Sequence, residues 1–281
     1  MTSTNYGDHL IPANITQKEG EVPILEFAAA PYGVDASWVL LPVTKLKPQV
    51  EELPTHSHDF HQFITWIGAD LKDISEFKAE QFICLGEEQE RHIVNTPTIL
   101  NLPAGTPHCP AGWLKVEKPI YHLDIFLSPD YAKTDVRLDD DQTSGTRYGK
   151  HLIPAPVGPA KSGPKINTLA FSAHQYGADL GWFVVPVLEP RVMEEKPHRH
   201  DFHQFFCFMG SNPENLADFD AEIEVYLGDE GEKHVITSPT VLHISPGLMH
   251  CPMIYKKVNM PVLHIDIVFA PEYQRIAASR D

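Results

Sequence analysis

The chain has 281 residues, 42% of them apolar, and a formal charge of 22 − 38 = −16. This length corresponds to about two domains of typical size, each with enough apolar residues for its own core. The acidic charge has no long runs, which disfavours nucleic acid and anionic membranes as partners. No stretch approaches the roughly 18 apolar residues of a membrane-spanning helix, and the first ten residues lack a secretory signal. We expect a soluble, cytoplasmic protein that could form a homo-oligomer.

In chain order, the predicted elements are short strands. Alternating or apolar runs bounded by proline and glycine predict strands at 37–43, 63–67, 80–85, 92–94, 98–102 and 121–127, with partners in the second half such as 181–187. Helical turns are predicted only near 71–77 and 271–277. With 25 prolines and no helices to cover a parallel sheet, the pattern indicates an all-β protein built from sandwiches or barrels.

The chain repeats itself at an offset of 142 residues. Residues 55–63 (THSHDFHQF) recur as 197–205 (PHRHDFHQF), and residues 103–110 (PAGTPHCP) recur as 245–252 (SPGLMHCP). A period this long indicates two tandem domains rather than a solenoid. We place them at 1–140 and 141–281, joined by an acidic linker at 133–147.

The lead-in segments 6–12 and 148–154 are also copied. The cysteines form two roughly matching pairs, too few for a disulfide scaffold, and are expected to be reduced; they are Cys84, Cys109, Cys207 and Cys251.

The repeated motifs carry metal-ligand chemistry. Side chains two apart on a strand share a face, so His56, His58 and Gln62 point the same way. If the strand carrying His108 lies alongside, three imidazoles and an amide oxygen converge, which suits a divalent first-row metal with open positions. The second copy offers the equivalent set His198, His200, Gln204 and His250. We expect two metal ions per chain, drawn from Fe, Mn, Zn, Ni and Co.

Neighbouring residues are assigned lesser roles by strand parity. His61 and His203 face away from the ligand set, and Asp59 and Asp201 could orient a ligand imidazole. The cysteines that follow the last histidine of each set have the wrong parity to join it. Trp66 and Phe208 share the ligand face, where they either wall a pocket or pack in a core.

A later strand in each half offers candidate acid–base groups. The catalytic candidates each pair a histidine with an aspartate two residues on, which could tune the imidazole: His122 with Asp124, and His264 with Asp266. A polar, solvent-facing edge strand would explain the same pattern.

The spacing of these motifs resembles the two motifs of the cupin superfamily, His-x-His-x3-Glu and Pro-x-Gly-x2-His. The resemblance implies two tandem cupin-type double-stranded β-helix (jelly-roll) barrels, a bicupin, with the histidines of each set as metal ligands. Gln62 and Gln204 stand where most metal cupins have glutamate, which removes one negative charge and one possible carboxylate base. Ser245 replaces the proline of the second motif.

Three function classes follow from this resemblance. We favour a metal-dependent enzyme acting on a small oxygenated organic molecule by Lewis-acid and proton-transfer chemistry, as an isomerase, lyase, cyclase or hydrolase. The alternatives are a metal-dependent dioxygenase and a non-catalytic sensor or binder. Glutamine in both copies favours the non-oxidative class, and the bicupins that the chain resembles often react at the N-terminal site.

Overall fold

A computed structural model describes residues 5–46, 53–137, 147–160 and 166–277. Its described strands up to residue 154 are β1 (Leu10–Pro12), β2 (Ile15–Thr16), β3 (Ile24–Ala28), β4 (Ser37–Val43), β5 (His56–Ser57), β6 (Gln62–Gly68), β7 (Ala79–Leu85), β8 (Glu90–Val94), β9 (Thr98–Leu102), β10 (His108–Val116), β11 (Ile120–Phe126), β12 (Thr134–Asp135) and β13 (Leu152–Pro154).

The remaining strands are β14 (Val157–Pro159), β15 (Asn167–Ser172), β16 (Gly181–Val187), β17 (Arg191–Glu194), β18 (His198–Arg199), β19 (Gln204–Gly210), β20 (Ala221–Leu227), β21 (Glu232–Ile236), β22 (Thr240–Ile244), β23 (His250–Val258), β24 (Val262–Val268) and β25 (Ile276–Ala277). The described helices are single 3₁₀ turns at Gly7–His9, Ala30–Tyr32, Gly149–His151 and His174–Tyr176. The all-β prediction is confirmed. Within the described ranges, no helix has the length and apolar character needed to cross a membrane.

Both predicted helical turns are wrong. Residues 71–77 form hydrogen-bonded turns without a helix. At the other position, β25 pairs with β18, where Ile276 lies opposite Arg199. The sheet supplies backbone partners there, which outweighs the weak local preference for helix. Part of the predicted linker is also strand, since β12 pairs with β5; its acidic segment 139–145 lies outside the described residues.

The chain forms two compact units. The first barrel is Thr16–Val157, and the second barrel combines Met1–Ile15 with Gly158–Asp281. These units differ from the division at residue 140, because the lead-in segment of each half of the chain pairs with strands formed by the opposite half. Strand β1 pairs with β22 of the second barrel, and β13 pairs with β9 of the first.

A tyrosine and a glycine secure each lead-in segment. Gly228 has a φ of +79°, and a Cβ there would collide with the ring of Tyr6. Gly86, at φ +80°, is related to Tyr148 in the same way. Only glycine combines this backbone conformation with so close an approach. Each lead-in segment is therefore an integral part of the barrel with which it pairs.

Each barrel consists of two antiparallel sheets. In the first barrel the sheet orders are β13-β9-β6-β11-β4-β3-β2 and β12-β5-β10-β7-β8. In the second they are β1-β22-β19-β24-β16-β15-β14 and β21-β20-β23-β18-β25, with β17 also on β23. The central strands β6, β9, β19 and β22 are buried at every residue, so both faces of each larger sheet are covered. In the smaller sheets, His56 lies on β5, His108 on β10, His198 on β18 and His250 on β23, whereas His58 and His200 directly follow β5 and β18.

Candidate metal centres

Cross-strand pairing brings the predicted histidines of each barrel together. His56 on β5 lies directly opposite His108 on β10, with ring centroids 4.4 Å apart. His58 completes the cluster at 5.1 Å from His56 and 5.0 Å from His108. All three rings are buried, and their donor nitrogens lie within 4.8 Å of one another. The geometry fits one shared cation.

The second barrel repeats this cluster. His198 on β18 pairs with His250 on β23, again with ring centroids 4.4 Å apart. The ring of His200 lies 4.9 Å from His198 and 5.0 Å from His250. The structure thus brings together both predicted sets of three histidines, and their role as metal ligands stays a prediction.

Backbone carbonyls fix the tautomer of every imidazole in the two clusters. Nδ1 of His56 donates to the carbonyl of Pro54 at 2.8 Å, and Nδ1 of His108 donates to that of Thr106 at 3.0 Å. The four equivalent bonds run from His58 to Ala132, His198 to Lys196, His200 to Gln274 and His250 to Leu248. A carbonyl only accepts, so Nδ1 carries the proton and Nε2 keeps its lone pair for a metal.

Burial favours the neutral form of five of these imidazoles, the form in which an imidazole binds a metal. It lowers the pKa of His108 to about 4 and that of His250 to about 3, with smaller decreases at His58, His198 and His200. Within the part of the chain that the structure describes, Nε2 of five of the six rings is buried without a hydrogen-bond partner. Such orphaned acceptors are costly unless something binds them, and a divalent cation would satisfy them together.

An aspartate orients each glutamine. Nε2 of Gln62 donates to both carboxylate oxygens of Asp124, at 3.0 and 2.9 Å, and its Oε1 is buried without a partner. Gln204 and Asp266 repeat the arrangement at 2.9 and 3.0 Å. Because the amide nitrogen is engaged, the oxygen is left as the available ligand atom. Burial raises the pKa of both aspartates to about 7.

Cys251 lies closer to the second centre than parity predicted. Its donor atom lies within 4.8 Å of those of His198 and His250. Its φ of 78° interrupts the alternation of side chains along the strand. The rule that adjacent residues point to opposite faces therefore does not hold between His250 and Cys251. Burial raises the pKa of the thiol to about 12, which keeps it protonated without a metal.

The histidines of opposite parity do face away from the clusters. His61 hydrogen-bonds the Asn101 side chain at 2.6 Å, and His203 hydrogen-bonds His243 at 3.0 Å. His9, from the exchanged lead-in, bonds the carbonyl of His243 at 2.8 Å. These groups cross-link the outer layer of each barrel and leave the metal centres to the other six rings.

A cavity of about 460 Å³ opens directly onto the centre of the first barrel. His56, Gln62, His108 and Asp124 line one part of it. The rest of its described wall is largely apolar and includes Leu41, Val43, Ile64, Trp66, Ile83, Ala111, Trp113 and Tyr131. A molecule in this cavity would touch the metal-facing atoms and an apolar wall at once.

Buried side chains, two of them larger than their counterparts, fill the corresponding space in the second barrel. Phe206, Met253 and Tyr255 replace Ile64, Ala111 and Trp113, and all three are buried within one apolar cluster. Ala111 and Trp113 themselves are only half-buried. The two barrels therefore share a histidine cluster and differ in access to it.

The predicted pairing of histidine with aspartate on the late strand is not formed. Asp124 bonds Gln62, whereas Nδ1 of His122 accepts the indole N–H of Trp66 at 3.0 Å. In the second barrel Nδ1 of His264 bonds the Tyr255 hydroxyl at 2.8 Å. Strand parity identified a shared face correctly, but it does not show which side chain across the barrel each group will bond. The catalytic role of these residues stays a prediction.

Three residues of the first site were not predicted from the sequence. The ring of Phe60 stacks on His58 at 4.6 Å, and the ring of Tyr131 lies 4.7 Å from it. Phe202 and Tyr273 do the same to His200; the repeated Asp-Phe and Pro-x-Tyr sequences could have revealed them. The third residue, Gln81, lines the cavity and has no counterpart in the repeat, where Ile223 stands.

Comparison with solved structures identifies the architecture. An oxalate decarboxylase from Bacillus subtilis, with assigned Mn(II) centres, matches 99% of this chain and 80% of its own, with TM-score 0.61 and 11% identity. The formate complex of Lactobacillus farciminis oxalate decarboxylase matches 99% and 89%, with TM-score 0.57 and 13% identity. No family model and no curated protein sequence matches the chain. The chain has the bicupin fold, two double-stranded β-helix barrels that each enclose a histidine cluster.

Proposed function

We propose that the chain is a metal-dependent enzyme that reacts in the first barrel and holds a second metal ion away from substrate in the second. The observation that carries this proposal is the cavity of about 460 Å³, which reaches His56, Gln62 and His108. The equivalent space in the second barrel is occupied by Phe206, Met253 and Tyr255. A reaction needs room for a substrate beside the metal, and a structural site does not.

The donor set fits a divalent ion. Three neutral imidazoles and an amide oxygen add no negative charge, so a bound ion would keep its full Lewis acidity toward a carbonyl or hydroxyl oxygen. Mn(II) in the similarly folded oxalate decarboxylase supports a first-row ion. Backbone hydrogen bonds hold each imidazole in the tautomer that leaves Nε2 free to bind a metal ion. No change of tautomer is therefore needed when the ion binds.

Asp124 is the group that we propose to exchange a proton with the bound molecule. It lines the cavity and contacts Gln62, which places its carboxyl oxygens beside the metal-facing end. His122 lies further along the same strand, with Nδ1 occupied by Trp66. This assigns the two predicted catalytic residues different tasks and supports proton-transfer chemistry, the non-oxidative class.

Oxalate itself fits the described cavity wall poorly. Apart from the proposed metal ion, a small dianion calls for further cationic partners, and among the described residues lining the cavity only Lys45 is a cation, at an exposed position. The wall instead favours a larger molecule with apolar surface. We therefore propose a substrate class distinct from that of the similarly folded decarboxylases.

A cavity-filling substitution tests the proposal. Mn(II)-loaded protein would be incubated with small carbonyl and hydroxyl compounds, in air and under nitrogen, and conversion followed by NMR. Ala111→Met places the second-barrel residue into the first cavity and should lower conversion roughly 10²-fold by displacing substrate. The matched control Met253→Leu changes the second barrel and should leave conversion unchanged.

Conversion should also be the same in both gases. Full activity in Ala111→Met would place the reaction elsewhere. A strict requirement for oxygen would replace the proposed chemistry with that of a dioxygenase.

A further inference from the structure

The side-chain nitrogen of Gln81 is buried and has no hydrogen-bond partner among the described residues. The side chain lines the first-barrel cavity and is 3% exposed. A buried amide donor left unpaired is costly, so a residue of this kind in a cavity wall indicates a bound acceptor. The second barrel has Ile223 at this position, fully buried. The amide is therefore specific to the barrel with the open cavity.

Strand register places Gln81 at a distance from the metal centre. On β7 it is four residues from Leu85, which pairs with His108. Four residues of strand span roughly 13 Å. Gln81 itself pairs with Trp113, whose side chain also lines the cavity. The amide thus belongs to the end of the cavity away from the ligands.

His122 presents a second donor at a similar distance. It is four residues along β11 from Phe126, which pairs with Gln62. The indole N–H of Trp66 can only donate, so Nδ1 of His122 accepts it and, in the neutral ring, Nε2 carries the proton. His122 lines the cavity from the sheet opposite to that of Gln81. Two N–H donors, one from each sheet, therefore lie at the same end of the cavity.

Apolar side chains separate these donors from the metal centre. Ile64, Ile83 and Ala111 line the stretch between the two ends, with Trp66 and Trp113 beside the donors. The strand distance of roughly 13 Å, less the length of the side chains at either end, together with the cavity volume of about 460 Å³, leads us to infer room for one substituted six-membered ring. The wall chemistry matches an apolar body with a polar group at each end.

We propose that Gln81 and His122 form an acceptor-binding subsite that orients an apolar, ring-sized substrate whose other end carries the metal-binding oxygen. This inference rests on the proposed function of the first barrel. Gln81 is a substrate-binding residue in this scheme, and it selects for a carbonyl or other oxygen acceptor at the far end of the molecule. The same side chain would reject molecules that bury apolar surface against its N–H.

Two probes separate the subsite from the metal centre. Benzohydroxamate offers a metal-chelating group on an apolar ring, and 4-acetylbenzohydroxamate adds an acceptor at the opposite end of the ring. Their dissociation constants would be measured with Mn(II)-loaded protein by titration calorimetry, with metal content checked afterwards. We expect the acetyl compound to bind roughly 10-fold more tightly, because it pairs the buried donors.

Substitutions at Gln81 should remove this preference. Gln81→Ile installs the second-barrel residue, so it should fold normally and bind both probes within about twofold of each other. Gln81→Glu keeps the volume but replaces the donor with an acceptor, and it should bind the acetyl compound more weakly than the parent. The control Ile223→Val should keep the wild-type ratio.

The outcomes distinguish the two proposals. If benzohydroxamate binds and the wild-type protein shows no preference for the acetyl compound, the subsite is wrong and the metal centre stands. A preference that survives Gln81→Ile also overturns the subsite. If neither probe binds the loaded first barrel, both the subsite and the proposed function fail.

Discussion

At the residue scale, the decisive contact is the one between Gln62 and Asp124. It engages the amide nitrogen, so that the amide oxygen is left as the available ligand atom, and it places a carboxyl group on the cavity wall. Asp124→Asn keeps one acceptor for the amide, so metal binding should survive while proton exchange is lost. We expect metal content by elemental analysis to be unchanged and turnover to fall roughly 10²- to 10⁴-fold.

The second barrel supplies the comparison for this prediction. Asp266→Asn removes the equivalent carboxyl in the barrel that we propose holds its metal ion away from substrate, so turnover should stay at the wild-type value. Equal losses in both variants would show that the aspartates act by holding the fold together. Loss of metal in Asp124→Asn would assign Asp124 to positioning Gln62 alone.

At the same scale, the sequence predicted which histidines come together but not the other side-chain contacts of the site. The repeated motif predicted that His56, His58 and His108 come together, as do their counterparts. Its two-residue period is not that of one strand, because β5 ends at Ser57 and β18 ends at Arg199. The motif could not show that Asp124 would turn to Gln62, since that choice depends on side chains from other strands. Gln81 carried no motif at all, and only its burial in a cavity marks it.

At the element scale, the exchange of lead-in strands was invisible to the sequence. Segments 6–12 and 148–154 are near copies, so the hydrophobic pattern is satisfied by docking on either barrel. The structure resolves this by pairing Leu10 with Leu242 and Leu152 with Leu100. Strand positions, in contrast, were predictable because short apolar runs bounded by proline and glycine mark them locally.

The exchange predicts that each lead-in supports only its own compact unit. Leu10 packs on the core of the second barrel, and Leu152 packs on that of the first. Leu10→Ala should destabilise the second barrel by about 1–2 kcal/mol, less than a fully buried leucine, and leave the first unchanged. Leu152→Ala should do the reverse.

Hydrogen exchange can separate the two effects. Amides of β22 should exchange faster in Leu10→Ala, and those of β9 should exchange faster in Leu152→Ala. Faster exchange of β9 in Leu10→Ala would contradict the assignment of Met1–Ile15 to the second barrel.

At the scale of the whole molecule, buried histidines govern the response to acid. Burial lowers the pKa of five of them to about 3 or 4: His108, His122, His243, His250 and His264. Between about pH 4 and 6.5 the unfolded chain therefore binds protons that the folded chain does not. Stability falls as the pH falls through this window.

Two aspartates oppose this trend. The pKa of Asp124 and of Asp266 rises to about 7 on folding, so between pH 3.8 and 7 the folded state binds two protons that the unfolded state lacks. Their contribution is largest at low pH and is lost as the pH rises toward 7. These seven groups alone leave 5 − 2 = 3 protons taken up on unfolding. The lowered pKa values of His58, His61, His198, His200 and His203 act in the same direction, so the histidines determine the sign.

We therefore predict that metal-free protein loses stability when acidified from pH 6.5 to 4. Urea unfolding followed by circular dichroism should show a midpoint that decreases steadily across this range. Metal-loaded protein at pH 7 should be more stable than the metal-free form, because the ion binds the same Nε2 lone pairs and only in the folded state. Acid should also release the ions, since protons compete for those nitrogens. A midpoint that stays constant or rises on acidification would mean that the imidazoles are accessible to solvent, and the closed histidine clusters would then be wrong.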